Sequence, residues 1–295
     1  MIENKSISQA KYARNLNIVI ITVILSLLVI LPQYGLGQIA GLAPKYKYIE
    51  RFFSFIDSNN LYFLLIVYST ALTLILAYIF ARFGLKRNNH SLGLVDNEVF
   101  KSYGKGILLG FILLTLVVIS LKLIGFAEIR KNEIDLKLFL AFLPAWMIQG
   151  FEEEFLLRAI LMNQMAASGK IGLAIIANSL IFSILHLGNA GFSPMAFVNI
   201  FLVGVIFSLV FYISDSIYMS AGAHTFWNMT MANIFGITVS GYKPIGETIL
   251  KTSLKGPALI SGGDFGLEGS IITSLVLVGI LIILMRKIKQ KDSAK

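Results

Sequence analysis

Apolar runs of about twenty residues recur along this chain from end to end, and that repetition constrains the fold more than any single residue does. A helix needs about 20 mostly apolar residues to cross the hydrocarbon core of a bilayer. Eight stretches approach that requirement: Asn17–Leu36, Leu61–Phe83, Ile107–Phe126, Leu138 into the acidic cluster Glu152–Glu154, Ile171–Leu187, Met195–Ile213, Ile217–Ile237 and Ile271–Met285. Hydrophobic residues fill 56% of the 295 positions and charged residues 14%, against roughly 45–50% and 25% in soluble domains. A water-soluble fold cannot bury that much apolar surface, so the solvent is mostly lipid. The expectation is an all-α polytopic membrane protein of about eight transmembrane helices. Spans five to seven, joined by short connections, form its compact bundle.

The remaining composition narrows the chemistry. There are no cysteines, which removes thiolate metal sites, disulfides and cysteine nucleophiles. The net charge of +9 does not indicate nucleic acid, because the basic residues lie between apolar spans and read as topology markers. Lys5, Lys11 and Arg14 before the first apolar run resemble the start of a signal peptide, but no small-residue cleavage site follows, so an uncleaved helix is expected. Counting Lys and Arg with the N-terminus inside gives fifteen inner against nine outer residues, which puts both termini in the cytoplasm. The chain divides into residues 1–137 with three spans, a core at 138–235, and a loop, final span and basic tail at 236–295.

Ionisable residues inside a span are expensive and mark function. Lys122, the Glu152–Arg158 cluster, His186 and His224 qualify. In a helix Glu154 and Arg158 share a face and can pair, while Glu153 lies about 100° away on the stripe of Gln149. Phe182 and His186 are four residues apart, which sets an aromatic ring against the imidazole. His224 and Asn228 repeat that spacing on another helix. Singly, each element has an ordinary structural explanation: a charged helix end, a packed histidine, an interhelical hydrogen bond. Together they set a carboxylate, an imidazole, and an imidazole with a carboxamide on three separate helices. Such a set can activate a water for attack on a carbonyl and stabilise the oxyanion that forms. Equally, Glu153, His186 and His224 are an acceptable first shell for zinc with one open position. His-Glu-x-x-His and Gly-x-Ser-x-Gly are absent.

The series Glu153-Glu154-x-x-x-Arg158, Phe182-x-x-x-His186, His224-x-x-x-Asn228 resembles the signature of the CPBP family, the type II CAAX prenyl endopeptidases and bacteriocin-processing membrane proteins. The likeness covers about Leu138–Asn233 and has no departure at these positions. It implies an all-helical membrane fold of about eight spans with a polar intramembrane cavity that opens toward the cytoplasm. It further implies that Glu153 activates water with His186 as its partner, and that His224 and Asn228 bind the oxyanion. Glu154 and Arg158 pair in support, and Phe182 shapes the cavity. The expected activity is intramembrane endopeptidase cleavage of a membrane-embedded or tethered peptide or protein, in a bacterial plasma membrane. Bacteriocin processing or self-immunity is the expected setting, with zinc left open.

Two other readings compete. A non-catalytic scaffold or immunity protein of the same fold would tolerate loss of Glu153. A proton-coupled transporter would need broken helices and a repeat between halves, and no repeat is evident. Lys122, near the end of its span, is expected to snorkel outward. Asp215 is expected to be a solvated cap, and the turn-rich Ser261–Gly269 a flexible connection.

Overall fold

A computed structural model describes residues 4–14, 16–42, 58–243 and 247–293 of the chain. Lys45, Lys47, Arg51 and Lys295 of the charge count lie outside them. Nine helices organise the described residues: α1 (Lys5–Ala10), α2 (Ile18–Leu42), α3 (Ser58–Ile79), α4 (Val99–Leu123), α5 (Leu136–Glu154), α6 (Ile171–Leu185), α7 (Pro194–Ser214), α8 (Ile217–Met229) and α9 (Ile271–Ser293). The all-α polytopic expectation holds, with one small addition. Strands β1 (Ala127–Lys131) and β2 (Leu250–Leu254) pair antiparallel, Ile129 opposite Thr252, in the connections at one end of the bundle. There Arg130 and Lys255 both hydrogen-bond the Glu128 carboxylate and hold its pKa down at about 2.

Helices α2 to α9 occupy the eight apolar stretches, but they are not alike. Among the described residues five segments are long and apolar enough to cross a membrane: Ile18–Leu36, Val67–Gly84, Val99–Leu123, Pro194–Ser214 and Ile271–Gln290. The other three helices, α5, α6 and α8, are shorter or more polar because they carry the charged cluster and the histidines. Surrounding helices supply their apolar environment. On α4 the lipid-facing stripe is visible as exposed Leu108, Ile112, Leu116 and Ile119, three to four residues apart.

The opposite face of α4 holds Gly106 and Gly110, and it decides where α8 sits. A Cβ on Gly110 would come within 2.9 Å of the Trp227 backbone nitrogen, and one on Gly106 within 2.8 Å of that of Ala223. Gly150 of α5 approaches α8 from the other side, its Cβ position 2.7 Å from the Thr225 nitrogen. Between helices in lipid, where hydrophobicity gives no drive, such small-residue contacts let backbones meet and dispersion accumulate. Helix α8 is thus clamped between α4 and α5, and His224 with it.

Two faces of the bundle can be told apart. On one, α1 meets the α7–α8 connection: Asp215, left-handed at φ 55°, accepts from the backbone N–H groups of Lys5 (2.8 Å) and Ser6 (3.0 Å). Asp215 therefore caps a distant helix rather than the helix that follows it. The turn after Gly84 joins this face through Arg14 N–H to Leu85 C=O. The other face carries the small sheet, residues 186–193, 236–243 and 247–270, and α9 runs from it back toward the first. Lys122, near the end of α4, is exposed, as snorkelling requires.

Candidate active site

Helix α5 ends in a change of winding. After Glu154 the chain continues as a π-helix over Phe155–Met162, and α8 does the same over Thr230–Ile234. π-Segments widen a helix and re-aim its side chains, and they recur at functional sites. The carbonyl of Ala159, inside the first one, accepts from the guanidinium of buried Arg87 at 3.0 Å.

Around this bend lie the buried charges. Glu154 and Arg158 are both fully buried and paired at 2.7 Å, as their spacing predicts. Arg158 also donates to the Gly204 carbonyl of α7 at 3.1 Å, and its guanidinium carbon stands 5.0 Å from the Phe182 ring centre. The Glu154 oxygen that accepts from Arg158 lies 3.0 Å from His224 Nδ1. A carboxylate already holding a cation is an acceptor, so Nδ1–H donates and Nε2 is left to face the cavity. Rings of Phe207 (5.3 Å) and Phe182 (6.0 Å) hold the imidazole between them.

Glu153 is on the neighbouring face, as the helical stripe predicts. Its Oε1 accepts from Gln149 Nε2 at 2.5 Å; its Oε2 has no hydrogen-bond partner among the described residues and stands 3.6 Å from His224 Nε2. Asn228 donates to the other end of the same glutamine, Nδ2 to Gln149 Oε1 at 2.9 Å. Gln149 therefore links Glu153 to Asn228.

His186 stands apart from this group. It caps the end of α6, its Nδ1–H donates to the Phe182 carbonyl at 2.8 Å, and the Phe182 ring meets it edge-on at 4.8 Å. The pairing of Phe182 with His186 follows the spacing. The residue facing Glu153 is His224, where the sequence pointed to His186. Helical spacing tells which side chains share a face of one helix, but not which helices become neighbours. His186 does line the same cavity as Glu153, His224 and Asn228, a space of about 320 Å³. Its Nε2 lone pair is free of the carbonyl that holds Nδ1.

The conditional metal set fares differently. Among the described residues no three His, Asp or Glu side chains gather so as to hold a metal ion. Glu153 and His224 face each other, but His224 spends Nδ1 on Glu154 and His186 is tied to its own helix. The donors as arranged do not fit a zinc shell.

Two contributors were not assigned a role from the sequence. Gln149 is one. The other is Glu268, in the Ser261–Gly269 segment that looked like a flexible connection. That segment is instead packed: Glu268 is buried, accepts from Trp227 Nε1 (3.1 Å), and takes both the backbone N–H (2.9 Å) and the hydroxyl (2.7 Å) of Ser240. It ties the Val239–Tyr242 turn over the cavity to α8. Asn189, Ser240, Tyr242 and Glu268 all line the cavity, whereas no residue of 85–98, 163–170 or 214–216 does. The rim thus belongs to the sheet face, opposite both termini.

A helical membrane protein with carboxylates facing an imidazole across a cavity in its bundle has the layout of a membrane hydrolase. Residues 135–230 match the family model described as type II CAAX prenyl endopeptidase Rce1-like, so this chain carries a domain of that protease family, as the CPBP resemblance anticipated. The matched stretch runs from the cap of α5 into α8 and contains Glu153, Glu154, Arg158, Phe182, His186, His224 and Asn228. Comparison with curated proteins gave no match.

Proposed function

We propose that the chain is an intramembrane endopeptidase that hydrolyses a peptide bond with a water activated by Glu153. The observation that carries this reading is the free Glu153 Oε2, facing His224 Nε2 across 3.6 Å inside a cavity within the bundle. That gap is too long for a hydrogen bond and suits a bridging water. Glu153 takes one proton from the water, and the oxygen attacks the scissile carbonyl carbon. His186 lines the same cavity with its Nε2 uncommitted.

The electron pair of the C=O bond moves to oxygen. Asn228 Nδ2–H meets that oxyanion, in the manner of a preorganised donor in a dry site, with His224 Nε2 beside it. Glu154 accepts from His224 Nδ1–H and so fixes which nitrogen faces the cavity, while Arg158 holds Glu154 in place. Collapse of the intermediate breaks the C–N bond, and Glu153 returns its proton to the leaving nitrogen. No step requires a metal.

The cationic termini and the basic residues after Gly84 share one face, which favours that face as cytoplasmic. On this orientation the cavity rim faces the other side of the membrane, contrary to the opening implied by the resemblance. The substrate is then a membrane-tethered polypeptide whose scissile segment enters from the sheet face. The test of the chemistry is a single turnover in H₂¹⁸O with purified protein in lipid. Direct water attack puts the label in the new product carboxylate and none in Glu153; label in Glu153 would mean an acyl-enzyme and would reject the proposed step.

A further inference from the structure

The mechanism leaves one buried carboxylate unused. Glu152 is 1% exposed, its Oε1 has no hydrogen-bond partner among the described residues, and it lines the same cavity as Glu153. Its neighbours in sequence are compensated: Glu153 has Gln149, and Glu154 has Arg158 and His224. Glu268, the other acid of the cavity, receives three donors. Glu152 alone has been taken out of water without a donor, in a setting where a carboxylate demands one.

The lining of the cavity does not supply what is missing. Thr22 of α2 and Thr70 of α3 line it too, and each spends its hydroxyl hydrogen on its own helix, on the carbonyls of Ile18 (2.9 Å) and Val67 (2.6 Å). Ser26 and Gln33 of α2 are in the same lining, but among the described residues neither reaches Glu152 Oε1. Glu152 is thus an acceptor facing a cavity without a donor of its own. The fitting ligand is a cation rich in N–H groups: the ammonium of a lysine or the guanidinium of an arginine.

We infer that Glu152 is a specificity site that binds a basic side chain of the substrate close to the scissile bond. This rests on the endopeptidase reading. Glu152 and Glu153 are consecutive on α5, about 100° apart around the helix, and both line the same cavity. The basic residue therefore lies within a few positions of the bond cut. Glu152 falls outside the Glu153-Glu154-x-x-x-Arg158 pattern, so this preference is a property of this chain's cavity and not of the shared chemistry.

The test separates binding from cleavage. The chain has only two tryptophans, Trp146 and Trp227, and both line the cavity, so intrinsic fluorescence reports its occupancy. The full chain in lipid, carrying Glu153→Gln to block turnover, is titrated with palmitoylated hexapeptides bearing lysine or norleucine at each position in turn. The expected result is tighter binding of the lysine peptide at one position, by about tenfold, as a charge-assisted contact supplies. Adding Glu152→Gln should erase that preference, and Glu152→Asp should restore most of it while showing that the cavity still folds. A preference that survives Glu152→Gln, or no lysine preference at any position, overturns the inference. A lysine preference lost in Glu152→Gln, with no peptide cut by the wild type, upholds the cation site and defeats the endopeptidase reading instead.

Discussion

His224 Nδ1 and Arg158 meet at the same oxygen of Glu154, at 3.0 Å and 2.7 Å. That shared acceptor ties the imidazole of α8 to the charged bend of α5 and fixes which nitrogen faces Glu153. A neutral amide in its place would present the wrong partner to Nδ1. Glu154→Gln should lower kcat on the order of 10²–10⁴-fold, with little change in KM and with a lowered melting temperature because buried Arg158 loses its counter-charge, measured by cleavage assays and thermal melting in the same lipid.

Arg158 does not touch the imidazole, so its removal reads the buried charge pair more than the chemistry. Arg158→Met leaves Glu154 without its cation and the Gly204 carbonyl without a donor. A cost of about 3–5 kcal/mol is expected, read as a lowered melting temperature in detergent or lipid. Arg158→Met/Glu154→Leu together should recover much of that stability and none of the activity.

Gln149 joins Glu153 to Asn228 through both ends of its amide. Replacing it with alanine frees both side chains but strands no charge that Arg158 and His224 hold. Gln149→Ala should reduce kcat by roughly tenfold while leaving the melting temperature nearly unchanged.

The glycine contacts of α4 test whether the site depends on helix spacing. Gly110→Leu cannot be accommodated against the α8 backbone at Trp227 without moving that helix. Stability and cleavage should fall together, by about 1–3 kcal/mol for the former. Normal melting with normal activity would show that α8 is not clamped as described.

Because the chain has no cysteine, single introduced thiols report its orientation cleanly. Tyr242→Cys marks the cavity rim and Ser8→Cys the face of the termini. A membrane-impermeant maleimide on intact cells should label the first and leave the second until permeabilisation. The reverse pattern would turn the cavity toward the cytoplasm.

Much of this site was legible because its parts are periodic. The Glu154–Arg158 pair and the Phe182–His186 contact follow from four-residue spacing on a helix, and both are present as expected. The long apolar runs announced a membrane bundle. What could not be read is long-range. His224 faces Glu153 because Gly106, Gly110 and Gly150 bring α8 against α4 and α5, and no local pattern says that these glycines meet that helix. Gln149 is one polar residue on an apolar face, a common occurrence without its partners in view. Glu268 lies in a turn-rich segment whose composition looks like a loose connection, and only its contacts to Trp227 and Ser240 reveal a brace. The π-helical bends have no simple sequence signal.

The central claim is that Glu153 activates the water that cuts the substrate. Its most direct test is cleavage of a tethered membrane-peptide library by purified wild type and Glu153→Gln, side by side in lipid, with and without a metal chelator. The account predicts cleavage by wild type, unaffected by the chelator, and a loss on the order of 10³-fold or more in the variant with its fold intact. Equal cleavage by the two proteins would contradict it.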